Sequence, residues 1–146
     1  MFLVNLILVD VCNVKSGARI HGSVREAIKF VTEKVNPFVQ NGFKVELVVD
    51  ASYSGNDSME RKSMARDIEC VFTYVGENHI EYTADDRITE VILDNLKEKE
   101  YEKITLITDD LELRKKILFK LGPNGLPFEL EFLEVLEFLN NKNSLV

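Results

Sequence analysis

A chain of 146 residues, 45% apolar and 29% charged, has the length and balance of one globular domain, expected to span 1–146. Its formal net charge of −7 excludes a basic protein that coats nucleic acid, though not an enzyme whose carboxylates gather at a metal site. No apolar run approaches the ~20 residues of a membrane helix, so no membrane partner is expected.

The first element is an apolar run from Leu3 to Val9, interrupted only by Asn5. So short and continuous a run reads as a strand covered on both faces by helices, and it ends on Asp10. Met1-Phe2-Leu3 enters it directly, without a basic segment or a small-residue cleavage site, which points to the cytoplasm. Asn13 to Gly22 is expected as a polar loop. Ser23 then caps a helix, with Glu26 completing a capping box, and Asn36-Pro37 marks the helix end. Phe43 to Val49 is a second strand ending on Asp50, followed by a small, polar loop to Ser58. Met59 to Ile68 reads as a short helix and Glu69 to Tyr74 as a third strand.

Thr83 caps the next helix, with Asp85 and Asp86 in its first turn and the end near Lys99. A fourth strand, Lys103 to Thr108, delivers Asp109-Asp110. The helix after it stops at Gly122-Pro123. Pro127 to Leu130 is a candidate fifth strand, and Phe132, Leu133, Val135, Leu136 and Leu139 fall at helical spacing, as core or as a homodimer face. Strands alternating with helices specify an α/β fold with a mainly parallel sheet.

Right-handed crossovers bring the carboxyl ends of parallel strands to one edge, where such folds bind ligands. That edge would carry Asp10, Asp85, Asp86, Asp109 and Asp110, with Asp50 either beside them or capping a turn. Carboxylates crowded together repel, and a divalent cation relieves the repulsion; oxygen ligands suit Mg²⁺ or Mn²⁺. Such ions polarise phosphoryl oxygens and activate water, the chemistry of phosphodiester hydrolysis. Asn13 would fix Asp10 or reach substrate. Lys15 and Arg19 after the first strand, and Arg87, Arg114, Lys115 and Lys116 opposite, would hold substrate phosphates. His21 and His79 lack ligand spacing. Cys12 and Cys70 have neither metal spacing nor disulfide numbers; Cys12 is a small apolar filler or a reactive thiol.

Four stretches together resemble a known family: Leu8-Val9-Asp10-Val11-Cys12-Asn13-Val14, Val48-Val49-Asp50-Ala51, Tyr82-Thr83-Ala84-Asp85-Asp86-Arg87-Ile88 and Ile107-Thr108-Asp109-Asp110-Leu111. They look like the NYN domains of the PIN-like ribonuclease superfamily, in the style of its YacP-like branch, over residues 3 to 140. The resemblance implies a three-layer α/β sandwich, PIN-like or Rossmann-like, with a sheet of four or five strands in the order 3-2-1-4-5. It implies a metal-dependent endoribonuclease acting on single-stranded or structured RNA and leaving a 5′-phosphate and a 3′-hydroxyl. Asp10 would be the first metal ligand, Asp85 and Asp86 the second acidic point, and Asp110 a further ligand with Asp109 beside it. The chain departs from the family where Val11-Cys12 replaces Gly-Tyr, and where Thr89, with Glu90 beside it, replaces a glutamate.

A receiver domain would need an acidic pair after the first strand and a strand-end lysine near the C-terminus. An Asp-x-Asp phosphatase would need a second aspartate where Cys12 stands. The remaining rival is a catalytically silent NYN-like module that binds RNA or a protein partner.

Overall fold

The computed structural model describes residues 4–50, 59–75 and 81–140. In chain order the elements are β1 (Val4–Asp10), α1 (Val11–Gly17), α2 (Val24–Val39), β2 (Phe43–Val49), β3 (Glu60–Ala65), β4 (Ile68–Phe72), β5 (Tyr74–Val75) and β6 (Glu81–Tyr82). They continue with α3 (Ala84–Lys97), β7 (Tyr101–Ile107), α4 (Leu111–Leu121), β8 (Glu129–Leu133) and α5 (Val135–Asn140). Six strands form one sheet in the order β3-β4-β2-β1-β7-β8, while β5 and β6 make a separate small ribbon. All pairings in the main sheet are parallel except β3 with β4. The chain is therefore α/β with a mostly parallel sheet flanked by helices. Among the described residues no helix is long and apolar enough to cross a membrane.

Side chains alternate across a strand, so a strand apolar at every position feeds two cores. On one face Ile7, Val9, Val45 and Leu47 pack against Ala27, Val31 and Val35 of α2 and against Val135 and Phe138 of α5. On the other, Leu6, Leu8, Ile104 and Leu106 pack against Ile88 and Ile92 of α3 and Leu113 and Ile117 of α4. Ile7, Leu8 and Val9 are wholly buried. At about 1.5–3 kcal/mol for each such side chain, β1 anchors both layers.

Four expectations need correction. The sheet order differs from 3-2-1-4-5 by an added antiparallel edge strand: residues 60–65, expected within a helix, form β3. Glu60, Arg61, Lys62 and Met64 favour helices, but the two-residue turn at Arg66-Asp67, with Asp67 at φ 59°, folds them back onto β4. The Asp67 carbonyl also accepts from the Val45 amide at 2.9 Å, tying this turn to β2. The loop expected from Asn13 is helical to Gly17 because Val11 and Val14 are buried. The turn closes with the Ile20 amide donating to Lys15 O (2.9 Å) and the Arg19 amide to Ser16 O (3.2 Å), Arg19 lying at φ 54°.

The second helix passes the expected stop at Asn36-Pro37 and runs to Val39, held by buried Phe38 edge-on to Phe43, with ring centroids 6.3 Å apart. The last strand lies at Glu129–Leu133, later than Pro127 to Leu130. The loop read at 51–58 lies outside the described residues, as do His79 and Ile80.

A candidate carboxylate site at the sheet edge

Parallel pairing of β1 with β2 and β7 brings Asp10, Asp50 and Thr108 to the same edge, since Asp10 lies beside Val48 and Val9 beside Ile107. Asp10 is 4% exposed. Its Oδ2 accepts from Asn13 Nδ2 and from Thr108 Oγ1, each at 3.1 Å. Burial pushes its carboxyl up to about 7; the Thr108 hydroxyl opposes this, and the charges of Asp85 and Asp110 reinforce it. Asp85 is also raised, first by burial and then by Asp110, with Lys116 opposing and Asp50 adding to the rise. The Asp50 charge thus reaches Asp85 from the same edge.

Within the Asp85-Asp86 pair the roles are unequal. Asp86 completes a capping box: its Oδ2 accepts from the Thr83 amide at 3.0 Å, and its own amide donates to Thr83 Oγ1 at 3.2 Å. Its Oδ1 lies 3.7 Å from Lys116 Nζ. Partial burial pushes its carboxyl up, but the Thr83 bonds and Lys116 outweigh this and hold it below the usual range. Asp85 is the member whose charge meets the cluster.

The second pair divides differently. Asp110 caps α4, its Oδ1 accepting from the Leu113 amide at 3.0 Å, while its amide donates to Thr108 Oγ1 at 3.1 Å. Asp109, expected among the ligands, turns to the opposite layer instead: its Oδ1 accepts from the Val135 amide at 2.8 Å and holds the start of α5. A Cβ on Gly17 would sit 2.8 Å from Asp109 Oδ2 and 3.0 Å from Val135, so any larger residue must displace one of them. Asn13 is occupied at both ends of its amide, donating to Asp10 and accepting from the Asp109 amide at 2.9 Å. It positions Asp10.

Arg87 is likewise not a substrate-facing wall. It is 8% exposed and grips Glu46 through Nε and Nη2, both at 2.8 Å, with Nη1 reaching Glu90 at 3.2 Å. This bidentate pair ties α3 to β2. Sequence reading missed Glu46; its signal was a lone acid within the otherwise apolar Val45–Val49 run. Arg114 also turns inward, donating to Thr108 O at 2.8 Å and lying over the Phe132 ring. Lys115 remains in solvent, 3.5 Å from Glu112. Lys15 is half-buried in the last turn of α1, and Arg19 is exposed just beyond it. Burial, above all, pushes the Cys12 thiol up to about 11, which makes it a filler and not a nucleophile.

The donor set is oxygen-rich, as hard divalent cations require. Among the described residues, however, no three acidic, histidine or cysteine side chains converge closely enough to enclose an ion. No family model matches the chain, and no curated protein matches it. Among solved structures, sucrose-phosphate synthase from Thermosynechococcus elongatus superposes with a TM-score of 0.49 at 10% sequence identity, over 90% of this chain and 32% of that one. A likeness that remote carries no functional argument.

Proposed function

We propose that the chain is a divalent-metal-dependent endoribonuclease of the NYN type, acting in the cytoplasm on RNA. One observation carries this reading: a buried strand-end aspartate, Asp10, held by Asn13 and Thr108, meets the charges of two further carboxylates with no cationic side chain among the described residues bonded to it. A carboxylate kept at that cost in burial, with like charges adding to it, is explained by a cation that the site exists to bind. Asp10 and Asp110 would hold Mg²⁺ or Mn²⁺, with water and substrate oxygens completing its shell and the Asp85 charge favouring its entry. The bound ion would supply Lewis acidity toward a phosphoryl oxygen and a low-pKa water. The chain's own part is positioning. Asn13 and Thr108 fix the Asp10 carboxylate, and Arg114 pins the Thr108 carbonyl so that β7 ends in register. No Ser, Cys or His nucleophile is required, and burial pushes the Cys12 thiol up, away from the thiolate.

The second reading, a silent module that binds RNA or protein, is favoured by the capping duties of Asp86, Asp109 and Asp110. Incubation of single-stranded RNA with Mn²⁺ separates the two. The nuclease reading expects cleavage to 5′-phosphate ends and its loss in Asp10→Asn and Asp110→Asn. Cleavage by both variants at the wild-type rate would dismiss the mechanism, and RNA binding without any cleavage would favour the silent module.

A further inference from the structure

We propose that the outer face of α4 is a single-stranded RNA subsite, in which Phe119 stacks a base and Lys115, Lys116 and Lys120 hold the flanking phosphates. This rests on the ribonuclease reading and specifies where the substrate runs. Phe119 is 87% exposed, the most exposed large apolar side chain among the described residues. On a helix the residues at i−4 and i−3 share its face, and here both are lysine, with Lys120 on the adjoining face toward α3. Glu112 pairs with Lys115 at 3.5 Å and Asp86 with Lys116 at 3.7 Å, and these exposed pairs are too weak to withhold either lysine from a phosphate. In a chain of net charge −7, the helix Leu111–Leu121 thus carries Lys115, Lys116 and Lys120 against Glu112 alone, beside a bare aromatic ring.

The patch is continuous with the carboxylate edge. Lys116 reaches Asp86 at the start of α3, and Lys120 shares a groove between α3 and α4 with Asp86, Glu90, Asp94 and Lys97. From Asp110 to Phe119 the helix rises about 13 Å, at ~1.5 Å per residue. That is about four stacked nucleotides at ~3.4 Å each. An aromatic ring among cations suits single strands, because every base offers a π face and the lysines meet the backbone without reading sequence. Leu111 and Leu118 are also exposed on α4, which would suit a second copy of this chain. The lysine ring favours the polyanion.

The test is fluorescence anisotropy of a labelled 12-nucleotide single-stranded RNA in Ca²⁺, with sedimentation of each variant and a parallel cleavage assay of wild type in Mn²⁺. Phe119→Ala and Phe119→Leu should each weaken binding about 5- to 100-fold, while Phe119→Trp restores it. Lys115→Glu/Lys120→Glu should weaken binding and flatten its salt dependence. Full affinity in Phe119→Leu would overturn base stacking. Wild-type self-association abolished by Phe119→Ala, with RNA affinity unaltered, would assign the face to a second copy instead. Phe119-dependent binding without cleavage would support the subsite and reject the nuclease, whereas cleavage indifferent to Phe119 and the lysines would do the reverse.

Discussion

Replacing Asp10 with Asn removes one charge and almost no volume, and metal-free protein should report what that charge costs. The folded-state carboxyl lies at about 7 against an ordinary 3.8, chiefly through burial. The folded state therefore binds this proton more tightly than the unfolded chain does. The stability this contributes is fully present below the unfolded value and is lost as pH rises through about 7. At about 1.4 kcal/mol per tenfold change, the span amounts to about 4 kcal/mol. The Asn carbonyl can still accept from Asn13 and Thr108, so few other contacts change. Urea unfolding of both proteins in EDTA across a pH series measures the difference. Asp10→Asn should gain about 2–3 kcal/mol on wild type between about pH 5 and about pH 8. Curves that stay parallel would mean that Asp10 is not strained, and the case for a cation there would lose its main support.

The buried Glu46–Arg87 pair should be costly to break: Arg87→Ala is expected to lose about 3–5 kcal/mol by urea unfolding, since it strands Glu46 in the sheet layer. The double substitution with Glu46→Ala should cost less than the sum of the singles, and strict additivity would show that the two side chains act independently. Mn²⁺ at a hundredfold excess over its Kd should stabilise wild type by about 2.7 kcal/mol in thermal melts. Asp86→Asn should keep that response and Asp85→Asn lose most of it; the opposite ranking would reverse the roles assigned to the pair. Gly17→Ala should cost about 1–3 kcal/mol, because its methyl would meet Asp109 and Val135. An unchanged melting temperature would show that this junction yields freely.

The arrangement of layers was legible in the sequence because it follows from periodicity. Leu6 to Val9, Val45 to Val49 and Ile104 to Ile107 are apolar at nearly consecutive positions, which only a strand buried on both faces explains, and the intervening helices carry one apolar stripe each. Caps were legible for a similar reason: Ser23 and Thr83 act on backbone amides within one turn, so their partners are fixed by chain distance. The region 60–65 misled because its residues favour helix, and only pairing with β4, together with the turn at Asp67, makes a strand there.

The site was legible as a set of acids but not as a division of labour. Neighbouring helical positions point about 100° apart, so composition cannot say that Asp85 faces the cluster while Asp86 caps its own helix. Asp109 and Asp110 are equally alike in sequence, yet the start of α5, more than twenty positions on, draws Asp109 to the other layer. Arg87 resembles a phosphate-binding side chain until β2 brings Glu46 against it from 41 positions away. The sequence by itself determined which residues must be buried and which turns must close, because those depend on local spacing. Only the tertiary structure decided which charges meet, because that depends on packing between elements distant in the chain.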